Sequence, residues 1–169
     1  GCRRSLEITY EELSRRGAIS LANPDRLEID DMPLAETVKP GEPSPAGGAA
    51  SFQWLTRAAS HALEGRARAL VTAPIAKHIW HAAGHSYPGQ TERLAELGGW
   101  AEASMLFTAV SPHTGWRLNT LLATTHIPLA EVPRALTPER VHSKLNTLAD
   151  FCRRFQQRPK LHVAGLNPH

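Results

Sequence analysis

Cysteine is scarce in this chain of 169 residues, which holds only Cys2 and Cys152. Two cysteines do not make a disulfide framework. Because Cys152 falls on the apolar face of a predicted helix, we expect a reduced and buried thiol there. No apolar run approaches the length that crosses a bilayer, and the start, GCRRSLEITYEEL, has no signal-peptide core. We therefore expect a cytoplasmic protein that does not associate with membranes.

The chain also has only a small excess of positive over negative charge. The chain has 19 Lys and Arg against 16 Asp and Glu, which gives a net charge of +3 and a pI near 9.2. This excess is compatible with an anionic small molecule and too weak to indicate a nucleic-acid partner. The sequence has no G-x-G-x-x-G, no P-loop and no G-x-S-x-G. It therefore shows neither of the common phosphate cradles nor a nucleophile elbow.

Helical and extended patterns alternate along most of the chain. Apolar periodicity, capping residues and glycine stops predict helices at 9–17, 51–65, 75–84, from about 90, and 137–156. Short apolar runs between turn residues predict strands at 27–29, 67–75, 103–110, 117–125 and 160–166. Such alternation predicts an α/β/α sandwich with a mixed sheet, in which 103–110 and 117–125 form an antiparallel pair.

A stretch rich in proline and glycine divides the chain. The run DMPLAETVKPGEPSPAGG is typical of a loop or linker. We expect residues 1–47 to be a covering segment and loop, and residues 48–169 to be a partial α/β core.

Polar residues follow several of the predicted strands. Lys77 follows the strand at 67–75, His126 follows the strand at 117–125, and His169 follows the last strand. Thr91 lies in PGQTE, at a helix start. In open α/β sheets ligands gather beyond the carboxyl ends of the strands, so we expect a metal beside an anionic ligand.

Each of these residues also has a structural interpretation. Most histidines are surface or satisfied core residues. Lys77 could be an ordinary helix-start lysine, and Thr91 could simply cap its helix. The free N–H groups at that helix start would equally hold a phosphate or carboxylate.

Four motifs together resemble a known family. In order and spacing, LVTAPIAKHIWHAAGHSYPGQTERLAEL, LLATTHIPL, VAGLNPH and the loop GEPSPAGGAASFQWL resemble the central part of the 4-hydroxythreonine-4-phosphate dehydrogenases. The resemblance covers roughly 39–169. It implies a fold of the isocitrate and isopropylmalate dehydrogenase type, incomplete in this chain, and a homodimer with a shared active site.

The resemblance also implies an activity. The family is metal-dependent and NAD-linked, with zinc, magnesium or cobalt as the candidate ions. It oxidises the 3-hydroxyl of 4-phosphooxy-L-threonine, and loss of CO₂ then gives 3-amino-2-oxopropyl phosphate in vitamin B6 biosynthesis. The substrate is thus a phosphorylated hydroxy amino acid. The residues of the NAD site are not identified.

Family site residues carry over motif by motif. The resemblance implies that His126 and His169 bind the metal, with a third histidine from the partner subunit, in a segment after residue 169. The family's G-H-T-E motif contacts substrate through its His and Thr. Thr91 matches the Thr, whereas Gln90 replaces the His. Lys77 matches a common family lysine and is expected to have a supporting polar role.

Two alternatives stay open. Gln90 could mark a paralogue that acts on a related phosphorylated hydroxy acid, such as a 4-phospho-threonate or 4-phospho-erythronate. The chain could also be a non-catalytic protein that binds a phosphorylated metabolite or a metal. Because half of the implied site lies elsewhere, we expect the 169 residues alone to be inactive, as a central fragment of a longer enzyme.

Overall fold

The computed structural model describes residues 1–155 and 158–167. The chain divides into two compact units, Gly1–Ala103 and Ser104–His169. Within the described ranges, no helix combines the length and apolar character needed to cross a membrane.

Four helices form the first unit, together with a single 3-10 turn at Pro24–Arg26. They are α1 (Arg3–Arg15), α2 (Pro45–Leu63), α3 (Lys77–Ala82) and α4 (Gln90–Leu97). Helix α2 begins six residues before the predicted start, because Ser44 caps it. The Ser44 hydroxyl accepts a hydrogen bond of 3.2 Å from the Gly47 N–H, and Pro45 occupies the first turn. The predicted glycine stop after α2 is confirmed, since Gly65 has a φ of +75°.

The core of this unit lies between α2 and α3. Trp80 is 1% exposed, and its indole N–H donates to the Ser51 hydroxyl at 2.9 Å. The ring of Phe52 meets Trp80 edge-on, with centroids 5.2 Å apart. This contact fixes α3 against α2 and so fixes the position of Lys77, the first residue of α3.

Gly48 allows the close approach of these two helices. A Cβ atom at Gly48 would lie 2.5 Å from the Ile79 carbonyl oxygen and 2.7 Å from Ile79 Cγ2. We expect Gly48→Ala in the complete protein to lower the free energy of unfolding by about 1–3 kcal/mol, because α3 must shift away. Chemical denaturation measures this change.

A matched control lies one residue earlier. A Cβ atom at Gly47 would have its closest contacts with the Ser44 hydroxyl at 3.4 Å and Val38 Cγ1 at 3.5 Å. Alanine is also favoured over glycine inside a helix. Gly47→Ala should therefore leave stability unchanged or slightly raised, and equal losses in both variants would contradict the account of helix packing.

The N-terminal segment packs on the outer side of α2. The Trp54 indole N–H donates to the Met32 carbonyl at 3.1 Å. Arg57 pairs with Asp30 at 2.8 Å, and the hydrogen bond from Arg57 holds the pKa of the Asp30 carboxyl below its usual value. The division into a covering segment, 1–47, and a partial core, 48–169, stays a prediction.

The second unit contains a β-hairpin and two helices. Strands β1 (Leu106–Val110) and β2 (Arg117–Leu121) pair antiparallel, with Thr108 opposite Asn119. The predicted hairpin is thus confirmed, although both strands are shorter than expected. After a 3-10 turn at Leu129–Glu131, the helices are α5 (Val132–Ala135) and α6 (Pro138–Arg153).

Helix α6 begins as the sequence predicts. The Thr137 hydroxyl accepts a hydrogen bond from the Arg140 N–H at 3.2 Å, and Pro138 follows the cap. The helix contacts the hairpin at Cys152, where the Asn119 amide lies 3.9 Å from the Cys152 sulfur. Cys152 is buried and free, as expected.

Three predicted strands are not strands in the structure. Residues 27–29, 67–75 and 160–166 belong to no sheet, and β1 and β2 form the only sheet of the described residues. A strand exists only through hydrogen bonds to a neighbour, and the described residues offer these segments none. Val71, which an α/β sheet would bury, is 94% exposed. The described part of the chain is therefore rich in helix with a small antiparallel sheet, consistent with an incomplete α/β fold.

Candidate functional site

The start of α4 is tied to the turn that precedes α3. Gln90, the first residue of α4, donates a hydrogen bond of 2.8 Å from its side-chain amide to the Ala73 carbonyl. Ala73 precedes Pro74 in the TAPIAK run that leads into α3. The two motifs that the sequence analysis singled out in this unit therefore meet.

Lys77 completes this group. A Cβ atom at Gly89 would lie 3.2 Å from Oε2 of Glu92, 3.6 Å from Cε of Lys77 and 3.8 Å from Nζ of Lys77. The ammonium group thus lies beside the backbone at the start of α4, and Lys77 forms no ion pair within the described residues. The structure places the Lys77 side chain beside Gly89, which directly precedes Gln90. That these residues bind a substrate stays a prediction.

Thr91 does not cap α4. The capping position is Gly89, which has no side chain to accept a hydrogen bond. Thr91 lies in the first turn, and its side chain is exposed. No side chain of the described residues accepts a hydrogen bond from the first N–H groups of α4, and the positive end of the helix adds to the charge of Lys77. Lys77, Gln90, Thr91 and these N–H groups can together contact an anionic ligand that carries further polar groups.

An aromatic cluster that the sequence analysis missed joins α4 to α2. The ring of Phe52 stacks on His85 with centroids 3.7 Å apart, and the Arg93 guanidinium lies 4.8 Å from the centre of the same ring. Arg93 also binds Glu96 at 2.8 Å. Hydrogen bonds from Tyr87 and Arg93 hold the pKa of the Glu96 carboxyl below its usual value. Only the i, i+3 spacing of Arg93 and Glu96 signals this cluster in the sequence.

His126 lies in the second unit, five residues after β2 ends at Leu121. Its side chain is exposed, and its φ of 54° lies in the left-handed region that few residues other than glycine adopt. Backbone conformations of this kind occur often at functional sites. The turn that carries His126 presents its imidazole to solvent rather than to a core.

The second predicted metal ligand, His169, lies outside the described residues. In the ranges 1–155 and 158–167, no three His, Cys, Asp or Glu side chains form a group that could hold a metal ion. The structure thus provides one exposed imidazole of the predicted site. The convergence of His126 and His169 on one cation stays a prediction.

Comparison with known proteins identifies the family. A family model described as "Pyridoxal phosphate biosynthetic protein PdxA" matches residues 3–169. The chain is 65% identical over its full length to a 4-hydroxythreonine-4-phosphate dehydrogenase of Synechococcus sp. (strain RCC307), of which it covers 52%. It is 50% identical to the enzyme of that name from Thermosynechococcus vestitus, of which it also covers half. The chain therefore spans about half the length of these curated relatives.

Solved structures of proteins with the same name have a similar fold. The fold resembles a crystal structure of 4-hydroxythreonine-4-phosphate dehydrogenase from Klebsiella pneumoniae, with a TM-score of 0.73 and 32% identity over 88% of this chain and 46% of that one. A putative enzyme of the same name from Salmonella typhimurium gives a TM-score of 0.77 and 28% identity over 95% of this chain and 53% of that one. The match along nearly the whole chain, in sequence and in fold, shows that the chain belongs to the PdxA family of pyridoxal phosphate biosynthetic proteins.

Proposed function

We propose that this chain forms part of a 4-hydroxythreonine-4-phosphate dehydrogenase. In that reaction NAD oxidises the 3-hydroxyl of 4-phosphooxy-L-threonine, and loss of CO₂ gives 3-amino-2-oxopropyl phosphate. The observation that carries the proposal is the 65% identity over all 169 residues to a relative of that name. The grouping of Lys77 with the start of α4 supports it, because an anionic substrate needs such a cationic site.

We assign the substrate to the group formed by Lys77, Gln90 and Thr91. The ammonium of Lys77 and the positive end of α4 attract a phosphate or carboxylate. The hydroxyl of Thr91 and the amide of Gln90 are uncharged and orient the ligand through hydrogen bonds. These side chains bind and orient the substrate, and none of them is needed to carry a proton.

We propose that His126 and His169 hold a divalent metal, with a third histidine from the partner subunit of a homodimer. The exposed imidazole of His126 fits such a role, since neutral imidazole is a common metal ligand. When bound, a divalent ion would act as a Lewis acid on the oxygen that is oxidised. Imidazole ligands favour zinc or cobalt over magnesium. NAD would supply the hydride acceptor, with binding residues that are not assigned.

We infer that the described helices and hairpin belong to a fold of the isocitrate and isopropylmalate dehydrogenase type, in which segments such as 67–75 and 160–166 pair with strands absent from these residues. The similarity to solved structures supports a shared fold. A cytoplasmic location stays a prediction.

The direct test uses the protein expressed from its complete gene. Incubation with 4-phosphooxy-L-threonine, NAD and each divalent metal should produce NADH, followed by absorbance at the nicotinamide band. The proposed reaction would be overturned if none of the three candidate metals supported NADH formation.

We expect the isolated 169-residue polypeptide to produce no NADH under the same conditions. It corresponds to about half of the relatives' length, and the third metal ligand is proposed to lie after residue 169. Parallel assays of the polypeptide and the complete protein at equal molar concentration measure the difference. Turnover by the polypeptide alone would contradict the shared site.

One observation favours a second candidate. Gln90 stands where the family motif has histidine, so the substrate could be a phosphorylated hydroxy acid, such as 4-phospho-threonate or 4-phospho-erythronate. Comparison of kcat/KM for these compounds and for 4-phosphooxy-L-threonine separates the two candidates.

A further inference from the structure

The side-chain amide of Gln90 has a defined orientation. A glutamine amide carries a donor nitrogen and an acceptor oxygen that are hard to distinguish by shape alone. The partner of Gln90 is the Ala73 carbonyl, 2.8 Å away, which can only accept. The amide nitrogen must therefore face Ala73, and the oxygen Oε1 must point elsewhere.

Oε1 of Gln90 is the atom left for a ligand. No donor in the part of the chain that the structure describes forms a hydrogen bond with it, and the side chain is only half-buried. The neighbouring groups are the Lys77 ammonium and the Glu92 carboxylate, both placed beside Gly89. The start of α4 thus combines a cation, which attracts an anionic group, with acceptor oxygens, which disfavour one.

The cation and the acceptor oxygen bind different groups of the ligand. An acceptor oxygen binds a hydroxyl or an ammonium group and cannot bind phosphate or carboxylate oxygen. Under the proposed function, on which this step rests, the substrate bears two donors, the 3-hydroxyl and the group on C2. Since the 3-hydroxyl is the reacting group, the C2 substituent is the donor left for Oε1.

We propose that Gln90 is a specificity-determining residue whose Oε1 accepts a hydrogen bond from the C2 substituent of the substrate, an ammonium or a hydroxyl group. The bond to Ala73 positions that oxygen, because it removes the freedom of the amide to rotate. The turn before α3 thereby sets which atom α4 presents to the ligand.

The test is a cycle of variants and ligands in the complete protein, with affinities measured by titration calorimetry in the absence of NAD. Gln90→Met keeps the length of the side chain and removes both hydrogen bonds. Three ligands share the configuration at C3 and differ only in the C2 substituent: 4-phosphooxy-L-threonine has an ammonium group, 4-phospho-D-threonate has a hydroxyl group, and 3-hydroxy-4-phosphooxybutanoate of the same C3 configuration has neither. Gln53→Met, at an exposed position on α2, is the matched control.

We expect Gln90→Met to lose about tenfold in affinity for at least one of the first two ligands, which is the effect of one hydrogen bond to a polar or charged group. It should lose little or nothing for the third ligand. The ligand with the larger loss identifies the donor as ammonium or hydroxyl. Equal losses for all three ligands would reduce Gln90 to a structural role, and no loss for any ligand would remove it from the site; either result overturns the proposal.

This cycle separates the inference from the proposed function. Binding that depends on C2 and on Gln90 without NADH formation would refute the reaction alone. NADH formation with equal losses across the ligands would refute the role of Gln90 alone. If the wild-type protein binds none of the three ligands, the role of Gln90 is refuted, and the NADH assay decides the reaction by itself.

Discussion

Replacement of His126 by asparagine in the complete protein should abolish most of its dehydrogenase activity. Metal Lewis acids contribute several kcal/mol of transition-state stabilisation, and a loss of about 4 kcal/mol corresponds to about a thousandfold in kcat/KM. Asparagine is the suitable replacement because it tolerates the left-handed backbone of His126, with its φ of 54°, better than alanine does. Steady-state NADH formation, with bound metal measured by elemental analysis, reports both effects.

A matched control for this variant is His113→Asn. His113 is also an exposed histidine of the second unit, in the turn between β1 and β2. The control should keep its metal and its kcat/KM, and both variants should keep the wild-type thermal transition. If His126→Asn retained full metal content and activity, the assignment of His126 as a ligand would be wrong.

Replacement of Lys77 by methionine should raise the KM for the phosphorylated substrate by about 10- to 100-fold, with a smaller effect on kcat. The reason is the loss of one charge-assisted hydrogen bond, which contributes about 1.5–3 kcal/mol. Methionine keeps the length and the apolar stem of the lysine, so the packing beside Gly89 should persist. Steady-state kinetics with 4-phosphooxy-L-threonine at saturating NAD measures the change.

Lys39→Met is the control for a general effect of positive charge. Lys39 is exposed in the loop before α2 and pairs with Glu42 at 3.6 Å. Its removal should leave KM within about twofold, since exposed ion pairs contribute little. An unchanged KM in Lys77→Met, or an equal rise in both variants, would show that Lys77 does not contact the substrate.

The local parts of the fold follow from the sequence. Thr137 and Pro138 mark the start of α6, and Gly65 marks the stop after α2, because caps and left-handed glycines depend on neighbouring residues alone. The hairpin of β1 and β2 was predictable for the same reason, since both of its strands lie within 16 residues.

The remaining strands could not be confirmed, for a physical reason. An apolar run such as 67–75 carries the composition of a strand, but its pairing depends on distant segments that local patterns do not identify. That run pairs with no strand among the residues that the structure describes, and Val71 is exposed. Composition therefore indicates what a segment favours, and the available partners decide what it forms.

The candidate site shows the same limit. The order of the TAPIAK and PGQTE motifs indicated that Lys77 and the start of α4 belong together. The hydrogen bond from Gln90 to the Ala73 carbonyl, across 17 residues, depends on the packing of α3 on α2 around Trp80. No spacing rule predicts such a contact. His126 was found from its place after a predicted strand, whereas its left-handed backbone was visible only in the structure.

We propose that two imidazoles of this chain, those of His126 and His169, bind one cation. A crystal structure of the complete protein grown with zinc, with the ion located by its anomalous scattering, is the decisive experiment. We expect one zinc site with a nitrogen of each ring at about 2.0–2.1 Å. Zinc bound elsewhere, or two rings too far apart to share one ion in the assembled protein, would contradict it.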